Sequence, residues 1–221
     1  FFYAGYLFAA DDVATPTKYQ VTMKKVELCT SLSCGKTTLL AEKDGTFNIA
    51  SATAGAAVGD WITNFSLEIG ETYTHIKATI STTFTIAGYT TNSDISSDNC
   101  LTAASPSTAS TSSQGPIVSG SDSTTGGDMA WIIPKEKDED NGDPYSDLKS
   151  TFASNGITRA DDATTFTWIG ALTSPYTPGP SSSPKITIKF DVTNQLKSTQ
   201  QAANACYMWI EPPSVSVTLT D

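Results

Sequence analysis

Histidine, cysteine and charge are scarce in this chain, and each shortage removes a class of function. The sole histidine is His75. A Ser-His-Asp triad or a His-ligated metal would have to use it. It precedes Ile76 in an alternating run that places its side chain on the solvent-facing parity. No Gly-x-Ser-x-Gly elbow and no Cys-x-x-Cys pair occur. Charged residues make up 16%, against about 25% in a typical domain. Those present are unbalanced, with 13 Lys and Arg against 23 Asp and Glu, a formal net charge of -10. Nucleic-acid binders present basic patches, so this balance argues against nucleic acid and against anionic membranes, and it serves solubility. No apolar run reaches the about 20 residues that a transmembrane helix needs.

Fragments of catalytic motifs occur without their contexts. Gly35-Lys36-Thr37 resembles the end of a phosphate-binding loop, but Thr30 stands where that loop needs its first glycine. Ser33-Cys34-Gly35-Lys36 and Ser97-Asp98-Asn99 match two pieces of the penicillin-binding and β-lactamase signature, and the third piece, Lys-Thr-Gly, is missing. Nothing in the spacing singles out a carboxylate pair for glycoside hydrolysis. The expectation is a protein that is not an enzyme and uses no cofactor.

Period-two alternation dominates what is there, and it marks strands with one buried and one wet face. The clearest run is Ile76, Ala78, Ile80, Thr82, Phe84 and Ile86. Ile186, Ile188, Phe190 and Val192 form a second, and Val215, Val217 and Leu219 a third, entered through Pro212-Pro213. Tyr19, Val21 and Met23 alternate before Val26 and Leu28 continue on the other parity, which predicts a bulge. Weaker strand candidates are Phe65–Ile69, Met129–Ile133, Thr165–Ile169 and Cys206–Ile210, with short apolar pieces at Leu39-Leu40, Phe47–Ile49 and Ile117-Val118. The best helical candidates, Tyr145–Ala153 and Val192–Ala205, are short. Turn signals such as Asp44-Gly45, Gly70, Gly88 and Asn155-Gly156 separate the runs. Many short strands between turns predict an all-β, antiparallel β-sandwich of jelly-roll or immunoglobulin-like type. The simplest division is an apolar arm and connector over 1–15 and one sandwich domain over 16–221, with a Ser/Thr-rich surface loop near 102–127 that could carry O-linked sugars.

Four cysteines allow three pairings. Cys29 with Cys34 and Cys100 with Cys206 is the favoured set: one staples a tight loop, and the other closes a long one at about 4–5 kcal/mol in the chain-entropy model. That set places the chain in an oxidising compartment, the periplasm, the cell surface or the medium. The acidic stretch from Lys135 to Pro144 offers Asp138, Asp140 and Asp143 as weak calcium ligands, although its spacing does not fit an EF-hand. Trp61, Trp131, Trp168 and Trp209 read as core residues, with sugar stacking as the alternative. Asn64-Phe65-Ser66 fits an N-glycosylation acceptor.

The opening decamer, Phe1 to Ala10, carries no charge, and it begins without Met, as expected of a processed chain. Phe1, Phe2, Tyr3, Tyr6, Leu7 and Phe8 are large and apolar or aromatic, and Gly5 interrupts them. Burying six such side chains contributes roughly 10 kcal/mol gross, at about 1.5–3 kcal/mol each. Three readings are open: a leftover secretory h-region, a first strand docked on its own domain, and a strand donated to a neighbouring subunit; for the donated strand both apolar parities predict burial on both faces, with Gly5 marking close backbone approach.

An apolar arm ahead of a disulfide-bearing β-body resembles the subunits of extracellular filaments built by donor-strand exchange, such as chaperone–usher pilins and TasA-like biofilm fibre proteins. The resemblance is one of architecture. It implies a cell-surface filament of identical subunits in head-to-tail contact, with the arm of one completing the sandwich of the next and Asp11–Pro16 as connector. The alternative is a secreted carbohydrate-binding or adhesin module facing surface glycans.

Overall fold

The computed structural model describes residues 12–51, 54–63, 65–103, 116–134, 149–160 and 162–221. In chain order the elements are β1 (Asp12–Ala14), β2 (Lys18–Cys29), β3 (Thr37–Asn48), α1 (Ala54–Trp61), β4 (Tyr73–Ser81), β5 (Thr83–Ala87), β6 (Tyr89–Thr91), β7 (Asn99–Leu101), β8 (Ile117–Ser119), β9 (Met129–Ile132), α2 (Lys149–Ser154), β10 (Ile157–Thr158), β11 (Thr165–Tyr176), β12 (Lys185–Asp191), β13 (Leu196–Ala202), β14 (Ala205–Ile210) and β15 (Ser214–Thr220). All pairings between these strands are antiparallel. The expected all-β sandwich is what forms. No helix among the described residues is long and apolar enough to cross a membrane.

The larger layer is a seven-stranded sheet ordered β10-β11-β4-β2-β5-β9, with β3 on the opposite edge of β2. The parity switch read from Tyr19 to Leu28 is a real bulge: Met23 faces Ile80 while Lys25 faces Thr79. The run from Ile76 to Ile86 predicts one strand, and the structure makes two, β4 and β5, along the same edge of β2. Between the pairs Gln20–Thr85 and Met23–Ile80, two residues of β2 oppose four of the other chain segment. Buried Thr82 absorbs the surplus. Its N–H and hydroxyl both reach Thr164 O (2.9 and 3.1 Å), and its carbonyl accepts from Ile133 N–H (3.0 Å). A hydroxyl on the core parity is tolerated here because it is hydrogen-bonded. Thr82 is thus a fork: before it β11 flanks β4, and after it β9 flanks β5.

The second layer is one long hairpin made of β12 to β15. Its inner half pairs β13 with β14 around a turn at Ala203-Asn204, and its outer half pairs β12 with β15. Between the pairs Asp191–Ser214 and Leu196–Ile210, four residues face three, so the ribbon kinks. Pro212 and Pro213 lie in that gap and have no N–H to donate, so the ladder cannot run through them. β1 and β8 flank the inner half. Between Ala171 and Tyr176, β11 bulges off β4 before pairing with it again at Tyr73, and it also runs beside β15, where Thr173 Oγ1 donates to Val217 O (3.0 Å). On another side α1, with Val58 fully buried, packs against β12 and β3.

Several expectations change. Val192–Ala205 is mostly strand β13 rather than helix, because pairing with β14 overrides the helix-forming Gln and Ala side chains. Phe65–Ile69 is not a strand: Glu68 N–H goes to Tyr73 Oη (3.2 Å) and Gly70 N–H to Pro178 O (2.9 Å), with Gly70 at φ 79°. Asp44-Gly45 does not end a strand. It lies inside β3, where Asp44 pairs with Lys24 and a Cβ on Gly45 would stand 2.6 Å from Trp61 Nε1. The short apolar pieces at Leu39-Leu40 and Phe47-Asn48 are therefore parts of one strand. α2 covers Lys149–Ser154, and the earlier part of the helix expected from Tyr145 lies outside the described residues. In the Ser/Thr-rich stretch, β8 forms at the anticipated Ile117-Val118, and 104–115 lie outside the described residues.

Candidate functional site

Side chains from both layers line one cavity of about 190 Å³. The sheet contributes Met23, Ile76, Ala78, Ile80, Phe84 and Trp131, and the ribbon contributes Ile188, Phe190, Trp209, Val215 and Val217. Phe152 of α2 and Ile157 of β10 also line it. The side chains on one parity of β4 (Ile76, Ala78, Ile80) and of β12 (Ile188, Phe190) point here, as alternation allows. The kink at Glu211-Pro212-Pro213 borders the cavity on the ribbon side.

An apolar space of this size is not neutral. Its apolar lining lacks packing partners on the open side, and a guest that filled the space would restore those dispersion contacts. An apolar cavity of about 150 Å³ stays dry and accepts a benzene-sized guest. The cavity can therefore take one or two large apolar side chains.

Among the described residues, Glu211 is the only charged one in its lining. Its carboxylate accepts from Trp209 Nε1 (2.8 Å), its N–H donates to Gln195 O (2.8 Å), and its carbonyl lies 3.4 Å from Tyr19 Oη. Burial first, and the negative charge of Glu211 second, push the Tyr19 hydroxyl well above its usual pKa. Phe84 is the hub of an aromatic cluster. Trp131 stacks on it (5.7 Å between centroids, 13° between planes), while Tyr19 and Phe166 meet it edge-on at 5.7 and 6.0 Å. Trp131 is only 5% exposed, and its Nε1 has no acceptor among the described residues.

Both favoured disulfides are present, Cys29–Cys34 and Cys100–Cys206. They mark an oxidising environment. Cys29–Cys34 closes the loop after β2, and Cys100–Cys206 joins β7 to β14 beside a buried polar cluster. In that cluster Thr90 and Ser198 share a 2.6 Å hydroxyl contact, and Thr102 Oγ1 accepts from Gly88 N–H (2.9 Å). Burial there is tolerated because the hydroxyls are paired.

His75 sits on β4, half-buried, with Nδ1 2.8 Å from Thr74 Oγ1. The two serines of the motif fragments are on separate elements. Ser33 lies in the Cys29–Cys34 loop beside Ser31, and Ser97 donates to Asn204 at the ribbon turn. Lys36 is held by Glu68 and Glu71. No group of three or more His, Cys, Asp or Glu among the described residues is arranged to hold a metal. The calcium candidates Asp138, Asp140 and Asp143 lie outside the described residues, as do the glycosylation candidate Asn64 and the arm residues Phe1, Phe2, Tyr3, Gly5, Tyr6, Leu7 and Phe8.

Part of the expected connector is described, and it is structured. Asp12–Ala14 form β1, paired with Ser198–Leu196 of β13. Asn194 N–H donates to Thr15 Oγ1 (3.2 Å), and Thr17 N–H donates to Ala87 O (2.8 Å). β1 runs from Ser198 toward the kink, so the backbone at Asp12, followed toward the N-terminus, heads for the ribbon turn and away from the cavity.

Sequence reasoning did not find the Tyr19–Glu211–Trp209 contacts or the cavity. The available signal was Pro212-Pro213 between two alternating runs, which marks an interrupted ladder as well as a strand start. No protein-family model, curated protein or solved structure matches the chain.

Proposed function

We propose that this chain is a structural subunit of an extracellular filament, in which the apolar N-terminal segment of one copy docks at the cavity of the next. The observation that carries this reading is the cavity itself, an apolar space between two layers in a chain that also holds an uncharged apolar segment of ten residues. Only one or two large side chains fit inside, so the segment's backbone would run along the rim and its side chains would enter as knobs. Main-chain hydrogen bonds would supply affinity and the side chains specificity, as in other strand-addition complexes. The direction of β1 supports docking in trans, because at Asp12 the backbone, followed toward the N-terminus, points to the ribbon turn rather than to the cavity. A head-to-tail contact that does not close gives a filament. The disulfides suit export through an oxidising compartment.

A carbohydrate-binding module has less support. Trp131 is buried and the other three tryptophans are half-buried, so none offers an open stacking platform.

The test is deletion of residues 1–10. The truncated chain should stay folded and monomeric by size exclusion, and negative-stain images should contain no filaments. Filaments formed by the truncated chain would refute the assembly reading.

A further inference from the structure

The outer edge of the ribbon is engaged on either side of the kink and open at the kink itself. On one side Met208 N–H donates to Pro116 O (3.0 Å), where β8 flanks β14. On the other, Thr173 Oγ1 of β11 donates to Val217 O (3.0 Å). Among the described residues no strand pairs with this edge between those two points. Successive residues of a paired strand turn their N–H and C=O to opposite edges. Val217 presents its carbonyl to β11, away from β12, so Val215, two residues earlier, turns its N–H and C=O the same way. Ile210 also faces this edge, because Glu211 N–H donates inward to Gln195 O (2.8 Å), but Ile210 is only 3% exposed. Pro212 and Pro213 have no N–H. Val215 is therefore the donor that an incoming strand can reach. Its side chain lines the cavity and is half-buried, as are Ile80, Trp168, Phe190 and Trp209 of the same lining, so this is the side on which the cavity meets solvent. Its neighbours Ser214 and Ser216 are exposed.

We infer that Val215 is the main-chain anchor of the docked strand: a residue of the incoming N-terminal segment pairs with the N–H and C=O of Val215 and drops its apolar side chain into the cavity. This rests on the assembly reading above. Residues directly opposite each other in a strand pair carry their side chains on the same face, and the face of Val215 looks into the cavity. The backbone thus stays on the rim while the side chain enters. The register is confined as well, because Val217 O is taken on one side and two prolines offer no donor on the other. A window this short admits one or two knobs, which is what the space accommodates. Eleven residues stand ahead of Asp12; extended at about 3.3 Å each they span about 36 Å, which outreaches the stretch from Pro212 to Ser216. Residues 104–115 lead into Pro116 beside the same edge, but they hold no large apolar side chain, whereas Phe1 to Ala10 hold six.

The test uses the full-length chain carrying Leu7→Lys, whose own arm cannot be buried without burying a charge, and a synthetic peptide of residues 1–11. Amide hydrogen exchange is followed residue by residue by NMR. Without peptide, Val215 should exchange quickly, while Ser216, whose N–H faces β12, is protected. At saturating peptide the Val215 exchange should slow by roughly 10-fold or more, and Ser216 should stay as it was. Val215→Pro removes the edge N–H without touching the ladder to β12, as an edge proline does, and should weaken peptide binding by roughly 3- to 10-fold, the range for one hydrogen bond. Peptide binding that leaves the Val215 exchange unchanged overturns the inference while the assembly reading stands. Protection of Val215 that is present without peptide and lost on deletion of 104–115 assigns the edge to that segment and likewise overturns the inference. A peptide that does not bind at all overturns both. The exchange measurement needs no substitution at position 215, so the test survives a Val215→Pro chain that fails to fold.

Discussion

Ala78→Leu tests whether the space between the layers is vacant. Ala78 lies at the centre of β4, facing Trp168 on one neighbour and Val26 on the other, and it lines the cavity. The substitution adds three carbon atoms. If they enter vacant space, burial at about 0.8 kcal/mol per methylene stabilises the monomer by about 2 kcal/mol. If the region is already packed, overfilling costs about 1–3 kcal/mol instead, so the sign of the change is the readout. The measurement is urea unfolding of monomeric chain, with Leu7→Lys in both the reference and the variant to keep the arm from docking. The midpoint should rise at constant m, the mark of a pure stability change, and the melting temperature should rise by about 4–8 °C for a domain of this length. In the chain with its native arm, the same substitution should slow filament growth, because the new side chain occupies the place of an incoming knob. A lower midpoint together with unchanged filament growth would refute the reasoning from cavity to docking site.

Two further measurements probe the scaffold. Replacing Cys100 and Cys206 together by Ala should lower stability by about 4–5 kcal/mol, since the bridge spans 106 residues, whereas the same change at Cys29 and Cys34 should cost clearly less because its loop is short; equal urea midpoints for the two variants would contradict the loop-closure argument. The Tyr19 hydroxyl titrates above its usual pKa of 10 in the folded state, so its contribution is complete below pH 10 and is lost as pH rises beyond it. Tyr19→Phe should therefore flatten the alkaline loss of stability and leave the midpoint at pH 7 nearly unchanged.

The sequence spoke clearly wherever one strand had one buried face. The bulge after Met23, the alternation of β12 and β15, and the short strand at Ile117-Val118 were legible because a side chain's parity reports the layer it faces. The disulfide pairing was legible from spacing. Legibility failed where a strand changes neighbours. Thr82 continues the alternation perfectly, yet it is the point where β11 gives way to β9, and only the partners' backbones distinguish that fork from an ordinary strand residue. It failed again at Val192–Ala205, where local helix-forming composition meets a partner strand some ten residues downstream. The candidate site lies at the kink between the two halves of the ribbon, and both halves read individually as complete strands. Their mismatch of four residues against three is a property of the pair, which no single segment contains.

The kink also bears on why such a space could persist through folding. The two prolines forbid the ladder from closing at that point, and the register on either side is set by the well-paired halves of the hairpin. Closing the gap would require a shift in one half, and a one-residue slip turns its apolar face outward. The space is thus the cheaper fault. The connector adds a second constraint. β1 pairs with β13, Thr15 accepts from Asn194 within the kink, and Thr17 is bonded to Ala87 of the sheet, so Asp12 to Thr17 is stitched to both layers. That pairing fixes the direction of the backbone at Asp12. A pull transmitted through a docked arm would then reach the sheet and the ribbon together rather than peel a terminus from one of them.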